Sequence, residues 1–262
     1  MIKDFNQVFV SQHGIEAFEE GFKNAWDLNS YKDPNQPAIF FGMYAWEDVV
    51  RMEKHKGPKI IIWGGNDMHS QQLNHVANLQ KQQEIYTWAY PGEFSDTLSR
   101  HNIKHKKLYI ALKDYSTLSP ITLGENIYVY KGRHGNRPDY FKWEETITPL
   151  IKVFGEDRIK FTSYLPMDEL IEKVYKDCFV YVKPNPRGGC TSMFELAHMG
   201  IRTIGKNHKG LDCFTEYSDI LNLLDLIMEE SKFIGKTRKN IAEATKKEFT
   251  GPEWLNLNFW RG

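Results

Sequence analysis

The run Lys183-Pro184-Asn185-Pro186-Arg187-Gly188-Gly189-Cys190-Thr191-Ser192-Met193-Phe194-Glu195 joins an apolar stretch to a helical pattern through a glycine pair. Glycine N–H groups and the first turn of the helix behind them form an anion site, suited to phosphate. Thr191, Glu195 and His198 recur at i, i+4 and i+7 on one helix face, while Met193, Leu196, Ala197 and Gly200 mark the inward face. Glu195, one turn in from the glycines, is placed to accept hydrogen bonds from sugar hydroxyls. Two further residues follow strand-like runs: His13 in Ser11-Gln12-His13-Gly14, and Asp67 in Trp63-Gly64-Gly65-Asn66-Asp67. Open α/β sheets hold ligands at the carboxyl ends of their strands, and both residue types can act as a general base there. Asp67 equally suits the cap of a following helix.

The elements that must carry these residues alternate along the chain. Strand-like runs are expected at Gln7–Val10, Ala38–Phe41, Lys59–Trp63, Ile85–Ala89 and Lys107–Leu112, with helical patterns at Gly14–Leu28, Trp46–Lys54, Gln71–Gln82 and Glu93–His101. Between Lys113 and Glu125 the pattern gives way to Asp, Ser, Thr, Pro and Gly, a turn-rich composition that can connect two domains. Alternation resumes with Ile127–Tyr130, a helix from Phe141 to Phe154, Ile159–Ser163, a helix at Asp168–Tyr175 and the apolar run Cys178–Val182. The helix Thr191–Met199, the strand Ile201–Gly205 and helices at Ser218–Glu230 and Thr237–Glu248 complete it. This is the signature of βαβ units. The expected fold class is therefore α/β, with two Rossmann-like domains and mainly parallel sheets. The boundaries are residues 1–112 for the first domain and 113–250 for the second. A tail, 251–262, carries Trp254, Phe259 and Trp260, which need burial and can cross back to the first domain.

At 262 residues, two domains of roughly 110 to 150 residues each own a core. Charged residues make up 26% of the chain and cancel to a formal net charge of zero, so strong nonspecific attraction to nucleic acid or anionic membrane is not implied. The start MIKDFNQ lacks a signal-peptide pattern, and no apolar run reaches the roughly 20 residues of a membrane span, so a cytoplasmic location is expected. Cys178, Cys190 and Cys213 are odd in number without close CxxC spacing, as free thiols in a reducing compartment are.

In its second half the chain resembles the nucleotide-sugar-binding domain of GT-B glycosyltransferases. The features are IYVYKGR (Ile127–Arg133), the run TSYLPMDELIEKVYKDCFVYVKP and the segment PRGGCTSMFELAHMGIRTIG, in that order. The resemblance implies that Glu195 meets the donor's ribose, and that its phosphates meet Gly188 and Gly189, Thr191 and Arg187, and one or more of Lys131, Arg133 and Arg137. Where the family usually carries a second acidic residue ahead of this helix, Arg187 or Gly188 stands here. The implied activity moves a sugar from a nucleoside diphosphate sugar to an acceptor hydroxyl.

Such a transfer breaks a bond to phosphate, and glycine N–H groups, a helix terminus and arginines can stabilise the departing diphosphate without a metal. No two Asp residues stand two apart, so the Asp-x-Asp element of metal-dependent glycosyltransferases is absent from the sequence. No metal and no cofactor beyond the donor are expected. His13 or Asp67 would act as base in an inverting reaction, or contact the transferred sugar in a retaining one. The acceptor stays open between a glycan and DNA bearing a hydroxymethylated base. The second option follows from two basic clusters, Arg100–Lys107 and Lys236–Lys247. The competing readings are a sugar-nucleotide epimerase of similar two-domain form and an inactive nucleotide-sugar-binding protein.

Overall fold

Runs such as AIFF and KIII are buried at every position, as strands covered by helices on both faces must be. The computed structural model describes residues 3–65, 67–130, 142–162, 165–184, 191–206 and 211–262. The chain divides into two units, Met1–Tyr115 with Phe249–Gly262, and Ser116–Glu248.

In the first unit β1 (Gln7–Val10), α1 (Glu19–Trp26), β2 (Asn29–Ser30), β3 (Ala38–Phe41) and α2 (Trp46–Lys54) come in order. They are followed by β4 (Lys59–Ile62), α3 (Ser70–Leu79), β5 (Ile85–Ala89), α4 (Glu93–Arg100) and β6 (Lys106–Lys107). The strands pair in parallel in the order β2-β1-β3-β4-β5-β6. In the second unit β7 (Asn126–Tyr130), α5 (Thr148–Phe154), β8 (Ile159–Thr162), α6 (Met167–Lys173) and β9 (Cys178–Lys183) lead. Then come α7 (Thr191–His198), β10 (Arg202–Gly205), β11 (Phe214–Glu216), α8 (Ile220–Ser231) and α9 (Lys239–Glu248). This sheet is also parallel, in the order β11-β10-β9-β7-β8. Both units are α/β with Rossmann-like, doubly wound sheets. Strand order reverses between β1 and β3 in one and between β7 and β9 in the other, the switch points where such sheets bind ligands.

Some elements differ from the periodicity. The run Lys107–Leu112 pairs with β5 only at its start. Beyond it the Ala111 carbonyl accepts a hydrogen bond from the Trp26 indole at 2.7 Å, so the backbone leaves the sheet edge. The helix expected from Gly14 starts as a 3-10 turn, Glu16–Phe18, and becomes α-helical only at Glu19. Strands β2 and β11 are too short to show a period. Residues 249–262 belong to the first unit, where Trp254 is buried with ring centroids 6.3 Å from Phe22 and 5.2 Å from Trp26. The Leu255 carbonyl accepts from the N–H groups of Asp4 and Phe5 at 3.1 and 3.0 Å. Among the described residues no helix is long and apolar enough to cross a membrane.

At the amino end of β4, Lys59 is buried, its ammonium donating to the His55 carbonyl at 2.7 Å and to Gln83 Oε1 at 2.5 Å. Burial first, and then the Lys59 charge, hold the His55 imidazole down at about 4. In the unfolded chain His55 takes its proton near 6.5, so stability present above that pH is lost as pH falls toward 4. Urea unfolding at pH 7 and pH 4.5 should differ by on the order of 2 kcal/mol through this group. The His55→Gln variant should lose that part of the slope; a slope identical to the parent protein's would remove His55 as its source.

Candidate active site

In the first unit the loops leaving β1, β3 and β4 are tied together by two buried carboxylates. Asp48, in the first turn of α2, accepts from the Ala45 N–H at 2.9 Å, the half of a capping box that satisfies the helix start. The same oxygen accepts from the Ser11 hydroxyl at 2.7 Å, and Ser11 Oγ accepts in turn from the His13 N–H at 3.2 Å. His13 is thereby held by its backbone just beyond β1 while its residue stays exposed.

Asp67 is fully buried. Its Oδ2 accepts from the N–H groups of Met43 at 2.8 Å and Gly64 at 3.1 Å, and its Oδ1 from Gly65 at 2.8 Å. Burial pushes the carboxyl up, and the three N–H groups pull the other way. Gln72 takes the Met43 carbonyl at 2.7 Å, so both backbone groups of Met43 are held by side chains. Gly65 has φ +112°, and a Cβ there would meet the Phe94 ring at 3.0 Å, so this turn requires glycine. The Tyr44 phenol is raised by burial and then by the Asp67 charge, which keeps it protonated against the same loop. The loop after β3 thus joins the loops of His13 and Asp67. The Asp67 carboxylate, expected to be available as a base, is engaged by backbone donors.

In the second unit α7 is buried around its circumference: Met193 through Gly200 are all inside. The two-faced pattern of the sequence becomes one core helix, with α9 packed against it. His198 is buried, with Nδ1 2.7 Å from the Phe194 carbonyl. The helix ends on Gly200 at φ +86°, with the Ile201 N–H donating to the Leu196 carbonyl at 2.8 Å and the Gly200 N–H to Ala197 at 3.0 Å. This is the Schellman closure that the sequence His-Met-Gly-Ile supports. Glu195 is 2% exposed and accepts a 2.8 Å hydrogen bond from the Tyr175 hydroxyl. Thr191 opens the helix and is partly exposed. Lys131, Arg133, Arg137, Arg187, Gly188 and Gly189 lie outside the described residues.

The basic clusters contribute less free charge than their sequence suggests. Arg238 is buried and ion-paired with Glu230. His105 Nε2 lies 2.8 Å from the Ser95 hydroxyl, and the Lys106 ammonium lies 4.8 Å from the Phe259 ring centroid. Three contributors escaped sequence reading: Ser11, Asp48 and Tyr175. For Asp48 the signal was present, an acidic residue at the third helical position. The other two have no local pattern.

No protein-family model matches the chain, and no curated protein matches it in sequence. Its fold is matched by solved structures. Sucrose-phosphate synthase from Thermosynechococcus elongatus superposes with a TM-score of 0.59 at 11% identity, over 97% of this chain and 79% of that one. HepE of Anabaena, in complex with UDP-glucose, gives 0.59 at 12% identity over 97% of both chains. The chain has the GT-B fold. TarM shares the GT-B fold with it at a TM-score of 0.57 and 12% identity, this chain spanning 57% of TarM's length. The GT-B architecture accounts for two doubly wound units in 262 residues.

Proposed function

We propose that the protein is a glycosyltransferase that moves a sugar from a nucleoside diphosphate sugar to an acceptor hydroxyl. The observation that carries this reading is the GT-B fold, matched over 97% of the chain by a structure holding UDP-glucose. The second unit binds the donor. Glu195 accepts from the ribose hydroxyls, and its low-dielectric surroundings strengthen those bonds. Thr191 at the start of α7 and, ahead of it in the sequence, Gly188 and Gly189, with Arg187, Lys131, Arg133 or Arg137, stabilise the leaving diphosphate as negative charge develops on it. The reaction is metal-independent on this reading, because preorganised N–H groups and cations replace the ion.

The first unit supplies the acceptor-side groups. His13 is the exposed one, fixed at its backbone by Ser11, and serves as base or as contact to the transferred sugar. Asp67 acts through the loop it holds. The acceptor is a hydroxyl compound, a glycan before DNA, since Arg238 of the second basic cluster is buried against Glu230.

Calorimetric titration with UDP-glucose and other nucleoside diphosphate sugars, with and without EDTA, tests the reading. Selective binding of one donor, unchanged by EDTA, is expected. Glu195→Ala should weaken that binding about 10- to 100-fold, the worth of hydrogen bonds to a charged acceptor. Failure of every sugar nucleotide to bind would leave a fold without this activity.

A further inference from the structure

Glu195 has a side chain with three rotatable bonds, and a carboxylate that selects ribose must present its oxygens in one fixed plane. The helix alone does not set that plane. One group that holds it lies outside α7, in the 3-10 turn Tyr175–Asp177 that leads into β9. Tyr175 is 0% exposed, its ring edge-on to Tyr128 of β7 at 5.3 Å and 61°. Tyr128 in turn stacks on Tyr181 of β9 at 5.0 Å and 28°, its partner in the sheet register. The phenol at the end of this aromatic run donates to Glu195 Oε2 at 2.8 Å. Burial, and then the Glu195 charge, push that phenol well above its ordinary value, so it remains the donor.

We propose that Tyr175 is a positioning residue for the donor's ribose: its hydroxyl fixes the rotation of the Glu195 carboxylate, which then distinguishes ribose from deoxyribose. The inference rests on the nucleotide-sugar reading above and adds to it the group that makes Glu195 selective. A carboxylate has about four acceptor sites, so a bond from a tyrosine does not by itself exhaust it. A short bond from a neutral O–H to an ionised oxygen is strong and directional, and a rigid donor behind a binding group lowers the ordering that binding must otherwise supply. The Tyr128 and Tyr181 rings make this donor rigid through the sheet, which carries the α6 to β9 connection into the site.

The test compares dissociation constants of UDP, GDP and ADP with those of their 2′-deoxy counterparts, by titration calorimetry on the full chain. The parent protein should bind one ribonucleotide about tenfold or more tightly than its deoxy form, and Glu195→Gln should bring that ratio close to one. Tyr175→Phe keeps the ring against Tyr128 and should also bring the ratio to within about threefold of one. A purely structural tyrosine would lower the melting temperature and leave the ratio intact; that result, alongside a collapsed ratio in Glu195→Gln, overturns the inference while the donor reading stands. A ratio of one in the parent protein removes Glu195 from the ribose, and the inference falls with it. Should Tyr175→Phe fail to fold, the double variant with Glu195→Gln removes the stranded charge. Its affinity for the ribonucleotide should then equal that of Glu195→Gln alone, and a further tenfold loss would give Tyr175 a different role.

Discussion

Replacing Glu230 with alanine should destabilise the second unit by about 3 kcal/mol, the usual result of stranding a buried partner charge. Glu230 lies in the last turns of α8 and is 8% exposed. Its Oε1 is 3.1 Å from Arg202 Nε at the start of β10, and its Oε2 pairs with Arg238 ahead of α9. The Arg238 guanidinium also lies 4.0 Å over the Phe233 ring, and burial lowers its pKa against the pull of Glu230. One carboxylate is therefore shared by two guanidinium groups, the buried Arg238 and the partly exposed Arg202, and its loss leaves both without that partner. The effect should reach the site, because the Arg238 backbone packs against Gly200, which closes α7. Urea unfolding of Glu230→Ala measures the loss. Replacing all three members with Leu and Met of similar volume should recover most of it, since a buried ion triad is often no more stable than an apolar cluster. A loss below about 1 kcal/mol for Glu230→Ala would mean that solvent reaches the triad.

Asp67→Ala should be the most damaging single change in the first unit. It leaves the N–H groups of Met43, Gly64 and Gly65 without their acceptor, the Met43 bond buried and the two glycine bonds partly so. An unsatisfied buried donor costs about 1 to 3 kcal/mol and a partly buried one less, so the sum is about 3 kcal/mol. Asp67→Asn keeps one acceptor oxygen but turns an NH2 group toward N–H donors, and should fall between the two. If Asp67 works through its loop, sugar transfer in the Asn variant should decline together with the unfolding midpoint, and amide exchange at Gly64 and Gly65 should quicken. Loss of transfer at an unchanged midpoint would instead put Asp67 in the chemistry.

Much of the architecture was legible because burial on both faces leaves a strong mark. Val8, Val10, AIFF, KIII and CFVYVK read as continuous apolar strands, and the boundaries of α2 and β5 fall where their periodicity ends. Gly200, placed by its spacing on the inward face of the helix, instead closes α7 in the left-handed region that selects glycine. The stretches that escaped are short or marginal: Asn29–Ser30 is polar and two residues long, and the strand expected to run to Leu112 ends at Lys107.

The sequence by itself determined the alternation of strands and helices, the place of His13 and Asp67 after their strands, and the place of Glu195 on a helix behind a glycine loop. These are local matters, settled by period, turn residues and a few positions of spacing. Tertiary structure alone decided which groups those side chains meet. Asp67 reaches Met43 across 24 positions, Ser11 reaches Asp48 across 37, and Tyr175 reaches Glu195 across 20. No local pattern encodes such partners, because a buried polar group is satisfied by whatever donor or acceptor the packed sheet brings within 3 Å of it, and that neighbour exists only once the strands have paired.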